Sequence, residues 1–208
     1  MKASPRRFGN CSSSPDVFET MSDNASSPRV VTEFTSSSDS ADSIRFREVL
    51  GSYPTGVTVV TCLNHAGRPM GMTIGSFTSV SLDPPLVGFL PVRQSSTFRA
   101  IRATGTFCVN ILASDQESIC RTFASWKEDQ FATIQWQTAP SGAPTLDGAL
   151  AWIDCTLHSV HEVGDHFFAT GRVSHMSSVQ EGLPLLFHRR QYGRFATTTQ
   201  ASDQQIRA

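Results

Sequence analysis

The strongest constraint on this chain is a succession of short runs rich in β-branched and aromatic residues, divided by turn residues and without regular alternation with helical patterns. The runs are Val57 to Leu63, Met70 to Ser81, Leu86 to Leu90, Phe107 to Leu112, Ala151 to Val163, His166 to Met176 and Pro184 to Phe187. Strands that follow one another this directly disfavour a doubly wound parallel sheet. They predict a mainly β chain, an antiparallel barrel, closed or partly open, with a few peripheral helices. Along Ala151 to Val163, Ile153, Cys155 and Leu157 alternate with Trp152, Asp154, Thr156 and His158, the pattern of a half-buried antiparallel strand with one partly polar face.

Helical signals are few and well marked. Ile44, Phe46, Val49 and Leu50 share one face of a first short helix, which Gly51 ends. Ser95 and Ser96 precede a helix over Thr97 to Thr104 with Gly105 as its stop, and Ser114 with Glu117 reads as a capping box ahead of Ile119 and Phe123. Residues 1–41 are dense in Ser, Asp, Asn, Thr and Pro and predict a disordered tail, followed by one domain over 42–200 and a C-terminal tail over 201–208.

A formal net charge of −1 gives no electrostatic footprint for nucleic acid or an anionic membrane, so any phosphate has to be bound locally. No apolar run approaches the roughly 20 residues that cross a bilayer. Lys2, Arg6 and Arg7 lack the hydrophobic segment of a secretory signal. The odd set of cysteines, Cys11, Cys62, Cys108, Cys120 and Cys155, with no C-x-x-C spacing, predicts reduced thiols and a cytoplasmic protein. His158 and His161 fall on opposite faces of a strand, which argues against a shared metal ion. No G-x-G-x-x-G, P-loop or G-x-S-x-G motif is present.

Three clusters remain as candidates for chemistry. In the segment from Gly71 to Pro85, the residues Thr73, Ser76, Thr78, Ser79 and Ser81 cluster beside Gly71 and Gly75, where bare backbone admits a planar ligand. A plain edge strand accounts for the same alternation. The stretch Arg93 to Arg99, opening a helix after a strand, offers N–H groups, hydroxyls and an arginine to a phosphate, although Ser95 or Ser96 is also the expected N-cap. His166 follows the turn residues Gly164 and Asp165 at a strand's mouth, and a neutral imidazole there can donate a hydrogen bond or stack on a ring.

Six segments in the same order resemble the flavin reductase family with an FMN-binding, antiparallel Greek-key split β-barrel, the reductase components of two-component flavin-dependent monooxygenases. They are Tyr53 to Thr61, Ser76 to Val87, Ser95 to Phe98, Gly105 to Leu112, Gly164 to His166, and Pro184 to Phe187 with Tyr192 and Gly193. The resemblance implies that Pro69, Met70, Gly71, Met72, Thr73, Ile74, Gly75 and Ser76 face the flavin ring, with Thr73 and Ser76 as polar contacts. It implies that Pro91 and Val92 flank the ring or ribityl chain, that Ser95, Ser96 and Thr97 grip the phosphate, and that Phe123 is a pocket wall. His166 is the implied catalytic residue, beside the nicotinamide, and Phe187, His188, Arg189, Arg190 and Tyr192 are implied on the pyridine-nucleotide side. The expected activity is direct hydride transfer from NADH or NADPH to FMN or FAD in a homodimer, supplying reduced flavin to a monooxygenase. Neither the flavin nor the nicotinamide is decided by the residues. A non-catalytic flavin or electron carrier on the same barrel, or a ligand-sensing barrel without flavin, is the competing expectation.

Overall fold

Alternating apolar residues and hydroxyls drive most of the described chain into antiparallel ladders. In the computed structural model, which describes residues 40–125 and 129–196, the elements run α1 (Ser40–Leu50), β1 (Thr55–Gly56), β2 (Thr58–Leu63), β3 (Pro69–Ile74), β4 (Thr78–Leu82), β5 (Pro85–Phe89), α2 (Ser96–Thr104), β6 (Thr106–Ile111) and α3 (Glu117–Ala124). They continue with β7 (Trp136–Thr138), β8 (Pro144–Leu146), β9 (Ala151–Val163), β10 (His166–Ser178), β11 (Leu185–His188) and β12 (Gln191–Arg194). A seven-stranded sheet has the order β3-β2-β6-β9-β10-β5-β4, a three-stranded sheet the order β1-β11-β12, and β7 pairs with β8.

The large sheet is rolled. Val60 of β2, Ile74 of β3 and Val87 of β5 come from distant parts of the sheet yet belong to one buried cluster with Phe98 and Ile101 of α2. The result is a partly open barrel whose free edges, β3 and β4, are consecutive in sequence. Phe89 packs edge-on against Phe98 and Phe107 at ring distances of 6.0 and 5.3 Å, and Phe167 lies 5.4 Å from Phe98. Each such ring removed from water contributes about 1.5–3 kcal/mol. Val59, the neighbour of Val60, points into a second cluster with Val57, Leu112, Cys120, Phe123, Ile134, Leu146 and Leu185. Strand β2 is therefore covered on both faces, which is why it reads as a continuous apolar run rather than an alternation.

Several expectations are corrected by tertiary contacts. The run from Met70 to Ser81 breaks into β3 and β4 at Gly75 to Phe77, where the Ser76 hydroxyl ties the chain to the Leu90 backbone instead of a neighbouring strand. Asp154 lies on the nominally polar face of β9 but is fully buried, accepting hydrogen bonds from the Ser141 N–H and hydroxyl where the β7–β8 connection roofs it. Asn110 and Thr61 pin β8 across the sheet: Asn110 accepts from the Leu146 N–H at 2.8 Å and its amide donates to Val59, Thr61 and Pro144. The capping box does not form; Gln116 is the N-cap of α3, with its side chain drawn to the Ala113 N–H and the Asp147 carbonyl. Helix α1 begins at Ser40, inside the segment expected to be tail, and Val49 and Leu50 on it are 64% and 54% exposed. The short strands β7, β8 and β12 were not foreseen, having too few residues to show a period. Residues 1–39 and 197–208, and with them most of the expected tails and Cys11, lie outside the described residues.

Candidate active site

A cleft of about 840 Å³ opens on the described surface. Strand β3 and its extension through Gly75 and Ser76 form one wall, Leu90, Pro91 and Val92 with His166 close one end, and the first turn of α2 contributes Ser95, Ser96 and Thr97. The facing wall is built by Phe123, Ala124 and Ser125 leaving α3 and by Asp129 to Ala132. Every residue expected from Pro69 to Thr97, together with Phe123 and His166, lines this cleft.

Backbone ties explain the convergence. Val92 forms a bridge with His166, the Phe167 N–H donates to the Pro91 carbonyl at 2.9 Å, and the Arg93 N–H donates to the Asp165 carbonyl at 3.2 Å. The two-residue turn at Gly164 and Asp165 between β9 and β10, with Gly164 at φ 58°, thereby delivers His166 beside Pro91 and Val92. His166 Nδ1 lies 2.7 Å from an Asp165 carboxylate oxygen, and this hydrogen bond holds the Asp165 carboxyl below the usual carboxylate range. With Nδ1 so engaged, Nε2 is the nitrogen left for a ligand.

Most hydroxyls in the cleft already have work inside the protein. Ser95 is the N-cap of α2: its Oγ accepts from the Phe98 N–H at 3.1 Å while its proton points to Met72 Sδ at 3.3 Å. Thr97 donates to the Gly71 carbonyl at 3.0 Å, and Thr73 donates to the Cys120 carbonyl at 3.0 Å. Ser76 accepts from the Leu90 N–H at 3.0 Å. The Ser95, Thr97 and Thr73 bonds fasten β3 to both helices and spend those hydroxyl protons inside the protein. Ser96 is exposed in the cleft and takes no part in the cap, so its hydroxyl and the first free N–H groups of α2 are the donors left for an anion. Arg93 is not among them, being paired with Glu162 and lying over the Phe167 ring.

Two expectations about this site change. The bare faces of Gly71 and Gly75 are filled by the protein itself: a Cβ on Gly71 would stand 2.5 Å from the Phe123 ring, and one on Gly75 3.1 Å from the Thr55 hydroxyl. The glycines leave room for these side chains, and both still line the cleft. In addition, the segment from Phe187 to Tyr192 does not reach the main cleft. Phe187 and Tyr192 line a second cavity of about 300 Å³ beside β3, with Thr55, Val57, Cys120, and the shared residues Thr73 and Gly75. Among the described residues, His188, Arg189 and Arg190 line neither cavity; the two arginines form the β11–β12 turn with φ of 48° and 65°. In the second cavity the Cys120 thiol donates to the Tyr192 hydroxyl at 3.2 Å, and burial pushes the Tyr192 phenol up to about 12.

Sequence reasoning missed Asn64, Arg68, Leu90, Asp129, Gln130 and Phe131 as lining residues. Only Arg68 carried a signal, a cation directly preceding the strand. The others are brought in by folding of segments without a motif. No group of three or more potential metal-ligating side chains occurs among the described residues.

The model of the flavin reductase like domain matches residues 50–196. A flavin reductase of Pseudomonas putida is 49% identical over 151 residues, covering 73% of this chain and 89% of that protein. The reductase subunit of a flavin-dependent monooxygenase from Rhodococcus jostii is 49% identical over 154 residues, covering 74% and 78%. Among solved structures, an NADH:FAD oxidoreductase of Streptomyces globisporus, in complex with NAD and FAD fragments, superposes with a TM-score of 0.72 at 39% identity, over 77% of this chain and 96% of that one.

Proposed function

This chain belongs to the flavin reductase like family and is a flavin oxidoreductase, and from that premise we propose that it uses NADH or NADPH to reduce FMN or FAD bound in the 840 Å³ cleft, releasing the product to a partner monooxygenase. The observation that carries this reading is the convergence of an apolar wall, a helix N-terminus and His166 on one cleft. The residues fit a flavin: the volume lies within the roughly 300–1,000 Å³ of small-molecule sites, and Met70, Met72, Ile74, Leu90, Pro91 and Phe123 supply an apolar bed with hydroxyls and main chain at its border. A bound flavin supplies the acceptor for the hydride that leaves the reduced nicotinamide.

The protein's own part is positioning and exclusion of water. Ser96 and the free N–H groups of α2 hold the phosphate, which needs no net positive charge on the protein. Leu90 to Val92 and Phe123 desolvate the ring. His166, its Nδ1 held by Asp165, offers Nε2 to orient the nicotinamide rather than to take a proton. Homodimerisation and a cytoplasmic location belong to the same proposal. Cys62, Cys108, Cys120 and Cys155 are all buried free thiols, which suits a reducing compartment, and no described helix is long and apolar enough to cross a membrane.

The decisive measurement is anaerobic: full-length protein, NADH or NADPH and free flavin are mixed, and the oxidised-flavin absorbance is followed. It falls if the proposal holds. Persistence of the absorbance with both nicotinamides, despite measurable flavin binding, makes the protein a carrier. His166→Ala is expected to raise KM for the nicotinamide while leaving flavin affinity unchanged, and parallel loss of both removes the orienting role.

A further inference from the structure

The second cavity is assembled where the small sheet meets the edge strand β3. Thr55 of β1 is paired with Phe187 of β11, and Phe187 with Tyr192 of β12, so these three side chains stand side by side across the small sheet. Thr73 and Gly75, at the end of β3, and Cys120 of α3 line the same space. A side chain at position 75 would press on the Thr55 hydroxyl at 3.1 Å, so the glycine keeps this space open. Val57 and Cys120 belong to the second buried cluster and Tyr192 packs against it, which makes the cavity a gap at the border of a core.

Its chemistry defines what it can hold. Among the described residues no ionised side chain lines it, so a neutral occupant is favoured. Phe187 and Tyr192 present an aromatic pair with ring centroids 5.1 Å apart at an interplanar angle of 56°, and Arg121 lies 4.8 Å over the Tyr192 ring and steadies it. The Tyr192 hydroxyl accepts from the Cys120 thiol and keeps its own proton to donate. The volume of about 300 Å³ stands at the lower limit of small-molecule sites. An apolar cavity of about 150 Å³ already takes benzene, so there is room here for one substituted ring. These features suit a single neutral aromatic ring that carries a hydrogen-bond acceptor.

Thr73 and Gly75 line this cavity and the large cleft alike, and the Thr73 hydroxyl is held by the Cys120 carbonyl at 3.0 Å. What fills the smaller space therefore bears on a wall of the larger. We propose that the cavity between Thr55, Phe187 and Tyr192 is a second ligand site, taking a small neutral aromatic molecule of the phenol class, and that its occupancy alters flavin affinity in the cleft through Thr73 and Gly75. The coupling rests on the flavin reading above; the site itself does not.

The test titrates full-length protein with para-fluorophenol, followed by fluorine NMR, with para-fluorobenzoate as the charged comparison. Para-fluorophenol is expected to bind saturably at about millimolar concentration or below, and para-fluorobenzoate about tenfold or more weakly. Tyr192→Phe keeps the ring and loses the donor, and is expected to weaken para-fluorophenol about five- to tenfold while FMN affinity in its absence is retained, which also certifies the fold. Phe187→Leu, at a more exposed position, is the second variant and is expected to weaken it by a similar factor. Saturating para-fluorophenol is expected to move the FMN dissociation constant to a plateau about fivefold or more from its starting value. Absence of saturable binding overturns the site, as do equal binding of the benzoate and full affinity in both variants. An FMN dissociation constant that climbs without a plateau places the phenol in the main cleft and equally overturns the proposal, and one that does not move overturns the coupling. Failure of FMN to bind at all strikes the flavin reading, and the fluorine titration still decides the site.

Discussion

The two cavities beside β3 make an instructive pair. At one, β3, the start of α2 and the Val92–His166 bridge converge on a large cleft; at the other, Tyr192 and Phe187 enclose a smaller cavity, and Arg189 and Arg190 line neither. Both sets of residues belong to segments that resemble the same family, yet only the first is gathered into the main cleft. The difference lies in what fastens each set. Thr97, Ser95 and Thr73 are bonded directly to or through β3, whereas the β11–β12 hairpin is attached through β1 and the Cys120–Tyr192 contact.

The sharpest way to break the comparison is Gly71→Val. Its Cβ would enter the Phe123 ring, so the cleft wall has to shift, and we expect loss of flavin binding with destabilisation of about 1–3 kcal/mol from overpacking, read by fluorescence titration and thermal melting. Retained flavin affinity would show that Phe123 is not a wall the ligand needs.

Ser95 and Ser96 divide the cleft's two tasks. Ser95→Ala removes a cap and should lower stability by about 1 kcal/mol. Ser96→Ala should leave the melting temperature unchanged and weaken FMN by about tenfold, while riboflavin, which lacks the phosphate, is unaffected. Equal loss for riboflavin would place the phosphate elsewhere.

Alkaline stability distinguishes the barrel core from the second cavity by where it begins to fall. Burial raises the Cys62 and Cys155 thiols from 9.0 to about 12, and the Tyr192 phenol from 10.0 to about 12. A raised pKa in the folded state means that the stability it carries is whole below the unfolded value and is lost as pH climbs toward the folded one. Unfolding free energy is therefore expected to decline from pH 9 as the thiols come into play and more steeply from pH 10. Tyr192→Phe should remove only the later part. A profile indistinguishable from that of the parent protein would show that Tyr192 is not sequestered.

The smallest effect concerns the hairpin turn. Both turn arginines hold left-handed backbone, which Asn and Gly adopt more cheaply, so replacing Arg189 by Asn and Arg190 by Gly should raise stability by about 0.5–1 kcal/mol. Nicotinamide KM should not move. A rise would return the arginines to the pyridine-nucleotide side despite their position outside both cavities.

Local pattern by itself determined the β-rich architecture and the helix over Thr97 to Thr104 with its Ser and Gly boundaries, and the family resemblance pointed to the segments Pro69 to Ser76 and Ser95 to Thr97 that line the cleft. These are legible because alternation, caps and turns act within a few residues, and hydrophobic faces then leave few ways to pair. Tertiary structure alone decided that Asp154 is buried, that Gly71 makes room for Phe123, and that Phe131 and Arg68 line one cleft. Each depends on groups far apart in the chain meeting at a distance of a few ångströms, and no local period encodes which distant side chain fills a given space.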